Sequence, residues 1–204
     1  VLTFVASSIA YVFNPALATN RWFVFGTIIV TLWFATWINF KGMKLSSFLS
    51  SSGALLGTVI PGILIILMVV GYLVAGKPAQ ISFSWGSLVP DLGNLNQLML
   101  LSGMMVALSG MEMSGVHVTE MANPGRQFPK AIFSACFLVI LLSVFGALAI
   151  ALVIPPNDIS LAAGADQAFA KIFEIFHISW MTPIMCFLLA YGALTMVITW
   201  VLGP

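Results

Sequence analysis

Leu108-Ser109-Gly110-Met111-Glu112-Met113-Ser114-Gly115 sets one carboxylate between two glycines. From Leu98 to Val118, Glu112 is the sole formal charge in an otherwise apolar run. A carboxylate at the centre of a membrane helix costs roughly 2.5–3.5 kcal/mol on insertion scales. Glycine lowers helix propensity on both sides of the charge. The combination predicts a spanning helix that is discontinuous near residues 109–113, with an ionisable group at the break. Broken helices of this kind expose backbone N–H and C=O groups to a cavity rather than to lipid.

The surrounding composition agrees with a membrane setting. Of 204 residues, 61% are hydrophobic and 6% are charged, whereas soluble domains average about 25% charged residues. The fold class is therefore an all-α integral membrane protein. The formal net charge of +1 comes without any basic cluster, which gives no footing for nucleic acid. Cys136 and Cys186 both lie in apolar stretches and read as packing residues, not as a disulfide framework. No metal-ligand spacing occurs, and no cofactor is expected. The chain opens on apolar Val1 and stops at Gly203-Pro204 directly after an apolar run. It reads as an internal part of a longer membrane protein.

A spanning helix needs about 20 mainly apolar residues. Six stretches qualify in whole or in part, forming one transmembrane domain over residues 1–204. They are 1–13 (truncated, closed by Asn14-Pro15), 22–40, 48–74 (kinked by Pro61), 98–119 (broken), 131–154 (stopped by Pro155-Pro156) and 180–202. The connections 41–47 and 123–130 carry Lys41, Lys44, Arg126 and Lys130 and no acid. The positive-inside rule places both in the cytoplasm. Residues 77–94 read as an external loop. Residues 161–176 read as an amphipathic surface helix, with Asp166, Gln167, Lys171 and Glu174 on its polar face and Ala165, Phe169, Ile172, Phe173 and Phe176 on its apolar face.

Burial would raise the pKa of Glu112 and let it exchange a proton. The same carboxylate could equally accept hydrogen bonds from amides freed by the break. Gly110 and Gly115 could also serve as helix-packing points. Freed backbone groups at Ser109, Gly110, Met111, Glu112 and Met113 suit a zwitterionic ligand, for which an amino acid is the obvious case. His117 and Glu120 share a helix face and are further proton-coupling candidates, although such a pair more often marks a solvated helix end. Asn123-Pro124-Gly125-Arg126 is a turn signal ending the broken helix. Gly53 and Gly57 form a small-residue pair suited to close helix packing.

The stretch 110–130, GMEMSGVHVTEMANPGRQFPK, resembles the sixth span and following loop of amino acid–polyamine–organocation transporters. The matching parts are Gly110-Met111-Glu112, Glu120 and Asn123-Pro124-Gly125-Arg126. The run His117-Val118-Thr119-Glu120-Met121 and the loop from Ile154 to Leu161 are similar to bacterial glutamate/γ-aminobutyrate antiporters. The resemblance implies the inverted-repeat, leucine-transporter-like fold, of which this chain would supply the third to eighth of twelve spans. It further implies substrate contact by the unwound backbone at 109–113, coupling through Glu112, and an aromatic gate at Trp200. Two positions depart from the family pattern. Val106 stands where some antiporters carry a gating Trp, and Met196 where a Glu is expected.

These readings lead to transport of an amino acid by alternating access in the inner membrane of a bacterium, by exchange or, as the alternative, by proton symport. The partners expected are an amino-acid substrate, the lipid bilayer and the missing N- and C-terminal helices. A non-transporting receptor or scaffold of the same fold is a further alternative. An intramembrane enzyme is disfavoured, because no paired-carboxylate, Ser–His or metal-ligand constellation occurs in the spans.

Overall fold

The computed structural model describes residues 1–81, 93–107, 118 and 123–202. Among these, regular structure is helical throughout. The helices are α1 (Leu2–Phe13), α2 (Arg21–Phe40), α3 (Met43–Ala54), α4 (Ile60–Val74), α5 (Leu95–Ala107), α6 (Pro124–Val153), α7 (Gly164–Ile175) and α8 (Thr182–Leu202). A π-helical turn, Leu55–Val59, joins α3 to α4 into one apolar rod. Four of the helical stretches are long and apolar enough to cross a membrane: Arg21–Phe40, Lys44–Val74, Pro124–Val153 and Ser179–Val201. The chain divides into two compact units, residues 1–81 with 142–204, and residues 82–141. Within the second unit, α5 and the first part of α6 expose large apolar side chains such as Met99, Phe133 and Phe137, as lipid-facing or further-helix-facing surfaces do.

Two expected boundaries move. Pro124 does not sit in a loop but opens α6, the first-turn position where its missing N–H removes nothing from the helix. The Asn123 carbonyl accepts from the Arg126 and Gln127 amides. Arg126 and Lys130 therefore lie on a helix, and Pro129 removes one ladder bond inside it. Likewise α3 begins at Met43, so Lys44 and Ser46 are helical and the 41–47 connection is shorter than the apolar run suggested.

In the first unit, α8 is the central strut, packed by α1, α2, α3, the π turn and α7. The crossing with the π turn is unusually close. A Cβ on Gly57 would collide with the Gly192 backbone, and one on Gly192 would lie 2.7 Å from the Gly57 Cα. A Cβ on Gly53 would strike Thr195. The Gly53–Gly57 pair is thus a packing face, as its spacing indicated. Pro61 is the local cause of the π turn's placement, since it has no N–H to give the Gly57 carbonyl. On either side of the crossing, hydroxyls tie the helices together. Ser50 and Thr199 are 2.7 Å apart, as are Ser52 and Tyr191. Such bonds in membrane proteins contribute about 0.6 kcal/mol on average.

The short helix α7 seals one end of this unit. Phe169, Ile172 and Phe173 are fully buried among Ile65, Val69, Leu152 and Leu189. Burying each such side chain stabilises by about 1.5–3 kcal/mol. α7 ends in a Schellman motif: the His177 amide donates to the Glu174 carbonyl and the Ile178 amide to the Phe173 carbonyl. His177 occupies the left-handed position with φ 57°. α4 ends in the same way with Gly76 at φ 70°.

The amphipathic reading of α7 needs one correction. Asp166 is not on the solvent face; it is completely buried. At ~100° per residue it lies about 20° from Phe173 around the helix, against ~80–140° from Glu174, Gln167 and Lys171. It therefore belongs geometrically to the apolar side.

Three outcomes follow for stability. Gly57→Val should lower the melting temperature of the detergent-solubilised protein, since overpacking costs about 1–3 kcal/mol. Gly26→Ala, at a helical site with open space around it, should leave it unchanged or raise it. His177→Gly should stabilise by about 1 kcal/mol, because the left-handed conformation no longer opposes a Cβ. Thermal unfolding by differential scanning fluorimetry reads all three.

Candidate functional site

Ser109, Gly110, Met111, Glu112, Met113, His117 and Glu120 lie outside the described residues. Trp200 lies within them, near the end of α8, and is 44% exposed. It borders a cavity of about 220 Å³ together with Ser50, Thr58, Thr195, Met196 and Thr199. That cavity exists because Gly192 and the π turn bring α3 and α8 together without side chains between them, leaving space one turn further along.

A larger cavity, of about 500 Å³, opens in the first unit on the other side of the same crossing. Gly57, Thr58 and Pro61 form one wall and Gly192 and Met196 another; Gly146 of α6 faces them. Gly57, Thr58, Gly192 and Met196 lie along its glycine crossing, and Thr58, Gly192 and Met196 border both cavities. Among the described residues the walls carry no ionisable side chain, so what these residues can offer a ligand is shape, hydroxyls such as that of Thr58, and backbone dipoles of the π turn. π turns recur at functional sites because they misalign the helical ladder locally. The expected Glu is absent here: Met196 fills its position with a neutral, flexible thioether.

A separate polar cluster lies under α7. Ser8 of α1 donates its hydroxyl hydrogen to Asp166 Oδ2 at 2.9 Å. Asp166 Oδ1 is buried and has no hydrogen-bond partner. The Cys186 thiol of α8 stands beside the carboxylate and is itself fully buried. Burial pushes the Asp166 carboxyl from its ordinary 3.8 up to about 7, against the opposing pull of the Ser8 hydroxyl and the Cys186 thiol. Among the described residues the ion pair formed is Lys171 with Glu174, 3.1 Å apart on the outer face of α7. Next to Asp166, Gln167 is spent on structure: its side chain accepts from the Ser160 amide and donates to the Asp158 carbonyl. Sequence reading missed this cluster. The signal was present in the wheel position of Asp166, although its partners on α1 and α8 come from distant parts of the chain.

Helical rods of spanning length around a small-residue crossing, with a cavity on each side of it, define a multi-pass membrane protein. The profile of the amino acid permease family matches residues 1–204. The chain belongs to that family. It is 36% identical over 205 residues to an uncharacterized transporter of Legionella pneumophila, covering 100% of this chain and 44% of that protein. It is 30% identical over 204 residues to a glutamate/gamma-aminobutyrate antiporter of Lactococcus lactis subsp. lactis, covering 98% of this chain and 41% of the relative. An aspartate/glutamate permease of Lactococcus lactis subsp. cremoris is 26% identical over 157 residues, 70% of this chain and 30% of the relative. The chain thus spans less than half the length of these curated relatives.

Cys186, on α8 and sealed under α7, should resist a membrane-permeant maleimide in the folded protein and react fully once sodium dodecyl sulfate unfolds it. Intact-mass spectrometry of a Cys136→Ser background follows this directly, and rapid labelling before unfolding would contradict the packing.

Proposed function

We propose that the whole protein carrying this chain moves an amino acid across the bacterial inner membrane by alternating access, exchanging one amino acid for another or for its decarboxylation product. What carries the reading is the match of all 204 residues to the amino acid permease family. Relatives named as glutamate/gamma-aminobutyrate antiporters, aligned over nearly the whole chain, favour exchange. The cavity beside the π turn supports it from the physical side. Its neutral walls suit the apolar part of a small zwitterion, while the charged ends of that ligand need groups from elsewhere.

In this proposal Ser109, Gly110, Met111, Glu112 and Met113 supply those groups as the unwound centre of a spanning helix. Glu112 couples substrate movement to protonation, with His117 and Glu120 as further relay positions, and Trp200 closes the pathway at the smaller cavity. Lys41, Lys44, Arg126 and Lys130 mark the cytoplasmic side, which puts α7 on the outer face. The position of Lys41 fits an interfacial residue: its ammonium lies 4.8 Å over the Trp37 ring.

Proteoliposomes holding the whole protein separate exchange from symport. Labelled glutamate should enter only when unlabelled substrate is inside. Uptake into empty vesicles that follows a proton gradient would establish symport instead, and no uptake of any amino acid would favour a receptor or scaffold. Glu112→Gln should slow exchange at least about tenfold, ~1.4 kcal/mol of barrier, and flatten its pH profile; an unchanged rate and profile would remove Glu112 from the mechanism. Trp200→Ala should raise leakage of bound substrate, read as faster dissociation in a counterflow assay.

A further inference from the structure

The carboxylate of Asp166 is the one buried acid among the described residues, and it sits where a charge has least reason to be. α7 is short, amphipathic and outside the spanning helices, so its carboxylates would ordinarily face water. Asp166 instead points into the seam where α7 meets α1 and α8. There the Ser8 hydroxyl donates to Oδ2, the Cys186 thiol, a weak donor, stands alongside, and Oδ1 has no hydrogen-bond partner. An ionised carboxylate needs several donors or a cation to offset desolvation. Among the described residues the elements packed on α7 present no cation, and their hydroxyls and thiol leave Oδ1 without a partner. α1 brings Ser8 and Tyr11, α8 brings Cys186, and α4 brings Tyr72, whose hydroxyl donates to the Pro78 carbonyl. The turn Ser179–Met181 contributes no titratable group. On α7 itself Lys171 is engaged with Glu174 at the surface, and the nearby Asp158 meets Gln167 through its backbone carbonyl.

We propose that Asp166 and Ser8 form a proton-binding latch, in which a proton held on the Asp166 carboxyl keeps helix α7 docked on α1 and α8. Loss of that proton leaves an ion in an apolar seam and favours release of the helix into water. The rest of the docking comes from Phe169, Ile172 and Phe173, so release is a local opening rather than unfolding of the unit. The latch does not depend on which substrate the protein carries or on whether it exchanges.

The sign follows from linkage. The docked carboxyl titrates near 7 and the released one near its ordinary 3.8. A raised value in the docked state means docking is strongest below the ordinary value and weakens as pH rises, until the docked form also ionises. Over that window the opening constant should grow by up to about tenfold per pH unit, ~50-fold from pH 5 to pH 7, and then level off. The Ser8 hydroxyl favours the ionised docked form, so removing it should prolong the decline to higher pH.

Hydrogen–deuterium exchange of the whole protein in nanodiscs, corrected for intrinsic rates, measures this on peptides covering residues 164–175. The wild type should lose protection progressively from pH 5 to 7 and plateau above it. Asp166→Asn, an uncharged isostere, should be protected and flat across the range. Ser8→Ala should move the plateau upward in pH. Protection in the wild type that does not change between pH 5 and 7 would overturn the latch, and so would an Asp166→Asn slope equal to wild type or a Ser8→Ala profile that does not move. If Asp166→Asn does not fold, the wild-type and Ser8→Ala profiles decide between the same outcomes.

Discussion

At the crossing of the π turn with α8, the backbones of Gly57 and Gly192 meet with no side chain between them. Lipid offers no hydrophobic drive to bring two apolar helices together, so contact has to come from close van der Waals approach and hydrogen bonding. Glycine at both positions permits the approach, and the approach in turn sets Ser50 against Thr199 and Ser52 against Tyr191. Pro61 adds a second constraint by denying the Gly57 carbonyl its usual donor. A helix that is both narrow and irregular at one point leaves unfilled space on each side of that point. The two cavities share Thr58, Gly192 and Met196 for that reason.

α7 depends on the same strut from the other end. Its Phe169 and Phe173 pack in one buried cluster with Ile65 and Val69 of α4 and Leu189 of α8. The Schellman ends of α4 and α7 show two solutions to one backbone demand. Gly76 meets it without strain, whereas His177 accepts the left-handed conformation at some cost. Both the left-handed His177, at its C-terminal end, and the buried Asp166 thus belong to α7, the helix assigned the proton latch.

Membership in the amino acid permease family gives these features a context without assigning them roles. Among the described residues the cavity walls are neutral, so the charged ends of a substrate would have to be met by groups other than these. Glu112 lies between two glycines in an apolar run, and the physical argument for a broken helix there rests on the cost of its charge. Trp200 and Met196 border the described space close to the crossing. They are the positions at which gating and substrate choice can be tested independently of Glu112.

The apolar runs by themselves determined the all-α membrane class and the approximate helices, because a 30 Å hydrocarbon layer accepts little else. The spacing of Gly53 and Gly57 was enough to mark a packing face, and the motif around Gly110 to Arg126 was enough to point to the family. Helix starts were less legible: hydropathy falls off before helicity does, so Met43 and Pro124 open their helices several residues ahead of the apolar runs. Asp166 was misread because a carboxylate five residues from Lys171 and eight from Glu174 looks like part of a polar face, although its angle places it beside Phe173. Only the tertiary structure could decide what it faces. Ser8, Asp166 and Cys186 come from three separated parts of the chain, and burial is a property of the seam they share, which no local pattern encodes.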